Sequence, residues 1–274
     1  MMTEANAHPA INRILIAVDA SRRSLGVLET AAALAARRQL ELVTLFIEDV
    51  SLINLAGLPF AREIDRISAV ERRLDNLQMA RALRTQAQQI CRMLDRITSR
   101  LQLSYSFRVV RGSYLAEALT ASTGGDVVFL SRVVGRCRGS SQALAGPGEL
   151  SAMPFSPMRN AVWVLFDDLP GAARALALAG DLAYTENREL VVLLRSPAGE
   201  DPGRLRRRAA GIIGAEAVSV HYALIPRGGY ADLCRILRRR ECGMLVLHRD
   251  DPSHADQLAT LLLEESECPV VLVH

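Results

Sequence analysis

The stretch Arg13-Ile-Leu-Ile-Ala-Val-Asp-Ala-Ser21 decides the fold. Ile14 to Val18 is an apolar run of strand length, cut off by Asp19. Ser21 then opens an Ala/Leu-rich helical pattern over Ser24 to Arg38, closed by Arg37 and Arg38 where cations favour the helix dipole. This predicts a fully buried strand, a tight turn with Ser21 as N-cap, and a helix. A carboxylate at the carboxyl end of a buried parallel strand stands where open α/β sheets hold ligands. Asp19 is therefore the first candidate binding residue, with turn former or N-cap as its plainer role.

The pattern returns. Ala161-Val-Trp-Val-Leu-Phe-Asp167 is again a strand ending on an acid, followed by an Ala/Leu helix over Gly171 to Tyr184. Arg111-Gly-Ser-Tyr114 matches Arg227-Gly-Gly-Tyr230, each between a strand and a helix. The offset is 148 residues at the aspartates and 116 at the Arg-Gly turns. The 32-residue difference falls on a helical-looking insert in the first half. Strand–helix alternation with short connections predicts parallel sheets with right-handed crossovers. The expected fold is α/β, with two tandem open parallel sheets of the five-stranded type flanked by helices. The expected parts are a disordered tail (1–12), a first domain (13–158) and a second (159–274). The stretch Arg132 to Pro157, with four glycines and three prolines, reads as the loop between them.

Further strands are expected at 40–47, 103–110, 126–131, 190–194, 217–225, 243–248 and 268–273. Further helices are expected at 114–122, from Asp201-Pro202 to about 213, from Arg227-Gly-Gly to about 240, and at 253–265. Val50 to Ala61 reads as an apolar loop. Arg62 to Leu101 reads as one long helical insert, since Ile64, Ile67, Val70, Leu74, Leu77, Leu83, Ile90, Leu94, Ile97 and Leu101 approximate a 3–4 repeat. Fully helical, it would span about 60 Å. It either bends, or projects a heptad seam that pairs with another subunit, or forms two shorter helices on the sheet.

Composition sets the outer limits. The chain has 274 residues, half of them hydrophobic and 4% aromatic, so Ala, Leu, Val and Ile build the core. A formal charge of +3 is too mild to argue for nucleic acid by itself, so a nucleic-acid partner is not expected. The five cysteines contain no C-x2-C pair, and the histidines show no H-x3-H or H-E-x-x-H spacing, so no metal is assigned. Arg204 to Arg208 and Arg238 to Arg240 read as solvated helix faces. The polar start of the chain and the lack of a run of about 18 apolar residues predict a cytoplasmic protein with no membrane partner.

These residues resemble a known family. Ile16-Ala-Val-Asp-Ala-Ser21 before an Ala-rich helix is similar to the opening of universal stress proteins. Cys268-Pro-Val-Val-Leu-Val273 is similar to their closing strand, and Gly112, Gly228 and Asp126 fit the pattern as well. The chain looks like a tandem universal stress protein, related in fold to the adenine nucleotide alpha hydrolases. The resemblance implies five-stranded parallel domains that pair through their last strands, here within one chain or as a homodimer. It implies ATP as the ligand, held by the acid after strand one, which is Asp19 here, and by G-x2-G-x9-G-(S/T) after strand four.

The sequence departs from that motif. After the fourth strand it reads Leu130-Ser131-Arg132-Val133-Val134-Gly135-Arg136-Cys137-Arg138-Gly139-Ser140. Leu130 and Val133 stand where the first two glycines belong, and Gly139-Ser140 arrives early. The second half has His248-Arg249-Asp250-Asp251-Pro252 there, without a glycine. The candidate ligand-binding set is thus Asp19, Ser131, Arg132, Gly135, Arg136, Gly139 and Ser140, with Asp167 and Arg249 as a pseudo-site in the second half. The expected function is a non-enzymatic stress-response or regulatory protein with degenerate nucleotide motifs, contacting a protein partner through the long helix. The alternative is an adenine-nucleotide or anion sensor using the first cleft.

Overall fold

The computed structural model describes residues 11–19, 24–58, 60, 62–64, 71–73, 76–131, 160–167, 169–195, 201–213, 218–225, 233, 237, 242–250, 252–265 and 268–274. Two compact units divide at Thr123 and Gly124.

The first unit, Arg13–Thr123, contains β1 (Arg13–Val18), α1 (Ser24–Arg38), β2 (Glu41–Asp49) and α2 (Val50–Ala56). A short hairpin follows, β3 (Arg62–Ile64) with β4 (Glu71–Arg73), then α3 (Asn76–Leu101), β5 (Tyr105–Gly112) and α4 (Tyr114–Ala121). β1 pairs with β2 and β2 with β5, all parallel. Ile14 to Val18 are buried, as a strand covered on both faces requires. Alanines 31, 32 and 35 of α1 are also buried, and their short side chains permit close approach to neighbouring elements.

The second unit, from Gly124 to His274, also takes Asn12, whose backbone N–H donates to the Gly125 carbonyl at 2.8 Å. It contains β6 (Asp126–Ser131), β7 (Val162–Phe166), α5 (Pro170–Thr185), β8 (Leu190–Leu194), α6 (Pro202–Ile213), β9 (Val220–Leu224), β10 (Met244–His248), α7 (Pro252–Glu265) and β11 (Val270–Val273). The strands run in the order β6-β11-β10-β7-β8-β9. All pairs are parallel except β6 with β11, which is antiparallel with Val270 opposite Leu130 and Val273 opposite Val127. Parallel α/β units are present as the sequence predicts, with an unequal share of strands. Gly243 is required where β10 begins, because a Cβ there would stand 2.4 Å from the Asn160 carbonyl oxygen.

The insert is the main correction. The expected long helix over 62–101 begins only at Asn76, and the expected loop at 50–61 starts with helix α2. Ile64 belongs to the antiparallel hairpin, opposite Glu71. β-Branched residues at three-residue spacing fit a helical stripe on paper, but they also suit strands. α2 is nucleated by Asp49, whose Oδ1 accepts the Ser51 N–H at 2.8 Å. α3 has 26 residues, a length of about 39 Å. Its buried stripe of Leu83, Ala87, Leu94 and Thr98 belongs to the first unit, where α3 packs against α1, α2 and β5. That stripe is therefore not a free seam for another subunit. Leu52, Leu55, Leu58, Phe60 and Leu77 are exposed.

Three helices end alike. After α1, α3 and α5 the chain turns through Gln39, Gln102 and Asn187, all at positive φ. Each is followed by a residue donating back five positions: Leu40 to Ala35, Leu103 to Thr98 and Arg188 to Ala183. This is the Schellman closure, made here without glycine.

Candidate functional site

The first opening places Asp19 just after β1, half-buried. The neighbouring strand ends bring further charge. Glu48, buried at the end of β2, accepts both Nε (3.1 Å) and Nη2 (2.8 Å) of Arg111 at the end of β5. Tyr114, buried in the first turn of α4, donates its hydroxyl to the Ala17 carbonyl at 2.7 Å. The repeated Arg-Gly-x-Tyr turn is thus structural in its first copy: the arginine ties β5 to β2, and the tyrosine ties α4 to β1. The second copy, Arg227 to Tyr230, lies outside the described residues.

Ser131 ends β6 in the second unit and is buried. Arg132, Gly135, Arg136, Gly139 and Ser140 lie outside the described residues, as do the N-cap position Ser21 and the loop to Pro157.

The second opening is described around Asp167, apart from Asp168 and Asp251. This carboxylate follows β7 and is buried. Its Oδ1 accepts the Leu169 N–H at 3.1 Å and stands 3.1 Å from Nε2 of His248. Burial alone would raise its pKa. The hydrogen bond and charge of His248, the Leu169 amide and Arg195 outweigh burial and hold the carboxyl below its usual range. His248, at the end of β10, has its other nitrogen, Nδ1, 3.6 Å from Oδ2 of Asp250. Asp250 in turn accepts the Gly171 N–H at 2.5 Å, in the first turn of α5, and Arg174 stands 3.7 Å from its Oδ1. Gly171 is needed here, since a Cβ would lie 2.3 Å from Oδ1 of Asp250.

Arg249 turns elsewhere. Its guanidinium makes a bidentate pair with Asp256 of α7 at 2.7 and 2.8 Å and reaches His274 at 3.3 Å. The two members of the pseudo-site therefore work apart: Asp167 with His248, Arg249 with Asp256. Consecutive residues at a strand end face opposite sides. Sequence reading missed His248 and Asp250 as members of the Asp167 cluster. The only available signal was the acid-rich turn after β10, and nothing in it names α5 as its partner.

The cluster has three features with chemical meaning. A buried carboxylate is paired with an imidazole, a helix N-terminus is occupied by a second carboxylate, and among the described residues the groups paired with the imidazole are both carboxylates. Among the described residues, no group of three His, Cys, Asp or Glu side chains is arranged to hold a metal ion. The arginines of α6 are exposed, and Arg206 lies 5.1 Å over the ring of Tyr222. Among the described residues no helix is long and apolar enough to cross a membrane.

A universal stress protein from Archaeoglobus fulgidus DSM 4304 superimposes over 96% of both chains, with a TM-score of 0.53 at 14% identity. The fold is that of the universal stress proteins. A second universal stress protein from Archaeoglobus fulgidus matches in full over 43% of this chain, at 17% identity and a TM-score of 0.36. No family model matches the sequence, and no curated protein matches it. At such identities the likeness to universal stress proteins is one of fold, and the side chains have to carry any statement about ligands.

Proposed function

We propose that the chain is a universal stress protein-type regulatory protein that acts by binding and not by catalysis. The observation that carries this reading is the engagement of Asp167. The acid that would meet an adenosine in the second half is buried against His248 and the Leu169 amide. The turn that would offer amides to phosphate instead sends Asp250 into the N-terminus of α5. A carboxylate there repels phosphate. Catalysis lacks support in the same cluster, because a general base needs a proton donor within reach, and the neighbours shown for His248 are two carboxylates. Isothermal calorimetry with ATP tests the reading. We expect no saturable heat from the second half, and micromolar binding that survives Asp19→Ala would overturn it. Phosphate release above blank would overturn the non-enzymatic part.

A second reading is favoured by one observation. Asp19 sits at the carboxyl end of β1 with more of its surface open than Asp167. That supports adenine-nucleotide or anion sensing in the first half. Thermal shift with ATP, ADP, AMP and cyclic nucleotides checks it. A ligand at a hundredfold excess over its Kd stabilises by about 2.7 kcal/mol. Stabilisation lost in Asp19→Ala supports this reading, and a flat response across the panel removes it.

A further inference from the structure

The groups around Asp250 form an anion site whose ligand is supplied by the chain itself. Gly171 presents a backbone N–H from the first turn of the 16-residue helix α5, where the helix dipole favours negative charge. Arg174, one turn on, stands 3.7 Å from Oδ1. The third group is His248. Its side chain is only 8% exposed, yet among the described residues Nδ1 makes no hydrogen bond, and it stands 3.6 Å from Oδ2. In the imidazolium form, with Nε2–H toward Asp167, His248 also carries an Nδ1–H, and this buried donor at a helix N-terminus marks room for a better-fitting acceptor than the one present. The absent side chain of Gly171 keeps the approach open.

The present occupant is held from outside. Asp250 lies in the exposed turn between β10 and α7, with its side chain 20% exposed. We propose that the N-terminus of α5 is a carboxylate-binding site and that Asp250, its resident ligand, exchanges with the carboxylate of a small organic acid. The donor set fits two oxygens. One oxygen takes the Gly171 amide and the His248 nitrogen, and the other takes Arg174. A dianionic phosphate fits worse, because Asp167 carries its own charge directly behind His248, 3.1 Å from Nε2. Entry of the external acid releases the turn that carries Asp250, so the site reports a metabolite's presence as a movement of the β10–α7 connection. This proposal does not depend on how the chain treats nucleotides, since it uses neither Asp19 nor an adenine contact.

Asp250→Ala vacates the site, and acetate is the probe. Sodium acetate is titrated against sodium chloride of equal ionic strength and against sodium phosphate. Thermal unfolding and the Gly171 amide resonance are both followed. We expect acetate to raise the melting temperature of Asp250→Ala saturably and to shift the Gly171 amide. The wild type should respond only at concentrations at least roughly tenfold higher, because its site is mostly filled by Asp250. Adding Arg174→Gln to Asp250→Ala should abolish the response. Asp250→Asn keeps an acceptor for Gly171 and should respond between the two, which preserves the test should the alanine variant fold poorly. Acetate acting no more strongly than chloride on these variants, with the Gly171 amide unmoved, overturns the proposal. A stronger response to phosphate than to acetate overturns the carboxylate assignment.

Discussion

The two strand–acid–helix openings begin alike and end differently. β1 from Ile14 onward and all of β7 are buried, and both strands are followed by an aspartate. Asp19 remains half-buried at its strand end. Asp167 is buried, and its hydrogen bond to the Leu169 amide and pairing with His248 keep it there. The difference comes from the end of β10 and the turn after it, which bring His248 and Asp250 to the second opening. A repeated scaffold fixes where an acid stands. The loop from a strand distant in sequence decides what that acid can bind.

The sharpest test of this contrast is His248→Ala against Asp19→Ala, measured by chemical denaturation. Removing His248 leaves Asp167 buried without its partner and should cost about 3 kcal/mol. Removing the half-buried Asp19 should cost less, about 1 kcal/mol. Equal effects would erase the distinction between the openings. The pH dependence follows from the same pair. The folded pKa of Asp167 lies below its unfolded value, so its contribution is present above about pH 4. It is lost as pH falls through the lower folded value. The penalty of His248→Ala should therefore narrow in acid.

Tyr114→Phe probes the first opening from its other side. It strips a buried hydroxyl from the Ala17 carbonyl and should cost about 1 kcal/mol. A similar loss is expected for Asp49→Ala, which uncaps α2. The equivalent change at Asp201, an exposed acid accepting from Gly203 before α6, should fall at the low end, about 0.5 kcal/mol. Helix ends give a gentler comparison. Gln39 and Asn187 close α1 and α5 at positive φ, and asparagine tolerates that region better than glutamine. Gln39→Gly should stabilise by about 0.5–1 kcal/mol, and Asn187→Gly by less. The smallest effect is again one of pH. Burial, then the charge of Arg249, lowers the pKa of His274, with Arg174 acting the same way and Asp126 and Asp256 opposing. The unfolded chain then binds more protons, so stability declines as pH drops below about 6.5. His274→Gln should flatten that slope.

Strands were legible because burial on both faces leaves an uninterrupted apolar run with few other readings, as at Ile14–Val18 and Leu190–Leu194. Helices α1, α4, α5 and α6 were legible from periodicity and from their ends, such as Asp201-Pro202. The insert was not. Ile64 carries a helical spacing by coincidence, and a three-residue strand offers too little alternation to compete with it. α2 spans two turns, too few for a period to emerge from Leu52, Ile53 and Leu55. The site was half legible. Asp167 announces itself at a strand end, but its partner His248 comes from another strand 81 residues later, and no local pattern records their meeting. Arg249, expected beside Asp167 in the pseudo-site, pairs with Asp256 instead, as strand alternation directs.

The antiparallel contact of β6 with β11 has a practical consequence for how the gene can be divided. Val127 to Leu130 run against Val270 to Val273, so the fourth strand of the first repeat is sewn to the final strand of the second. A cleavage anywhere in 132–159 would not yield two independent halves. It would leave two polypeptides, each holding one side of the same seam, both with matching apolar edges. Expressed separately, they should reassemble on mixing. That makes the 132–159 stretch a natural position for a split reporter, and it makes either piece alone the form of this chain most prone to aggregate.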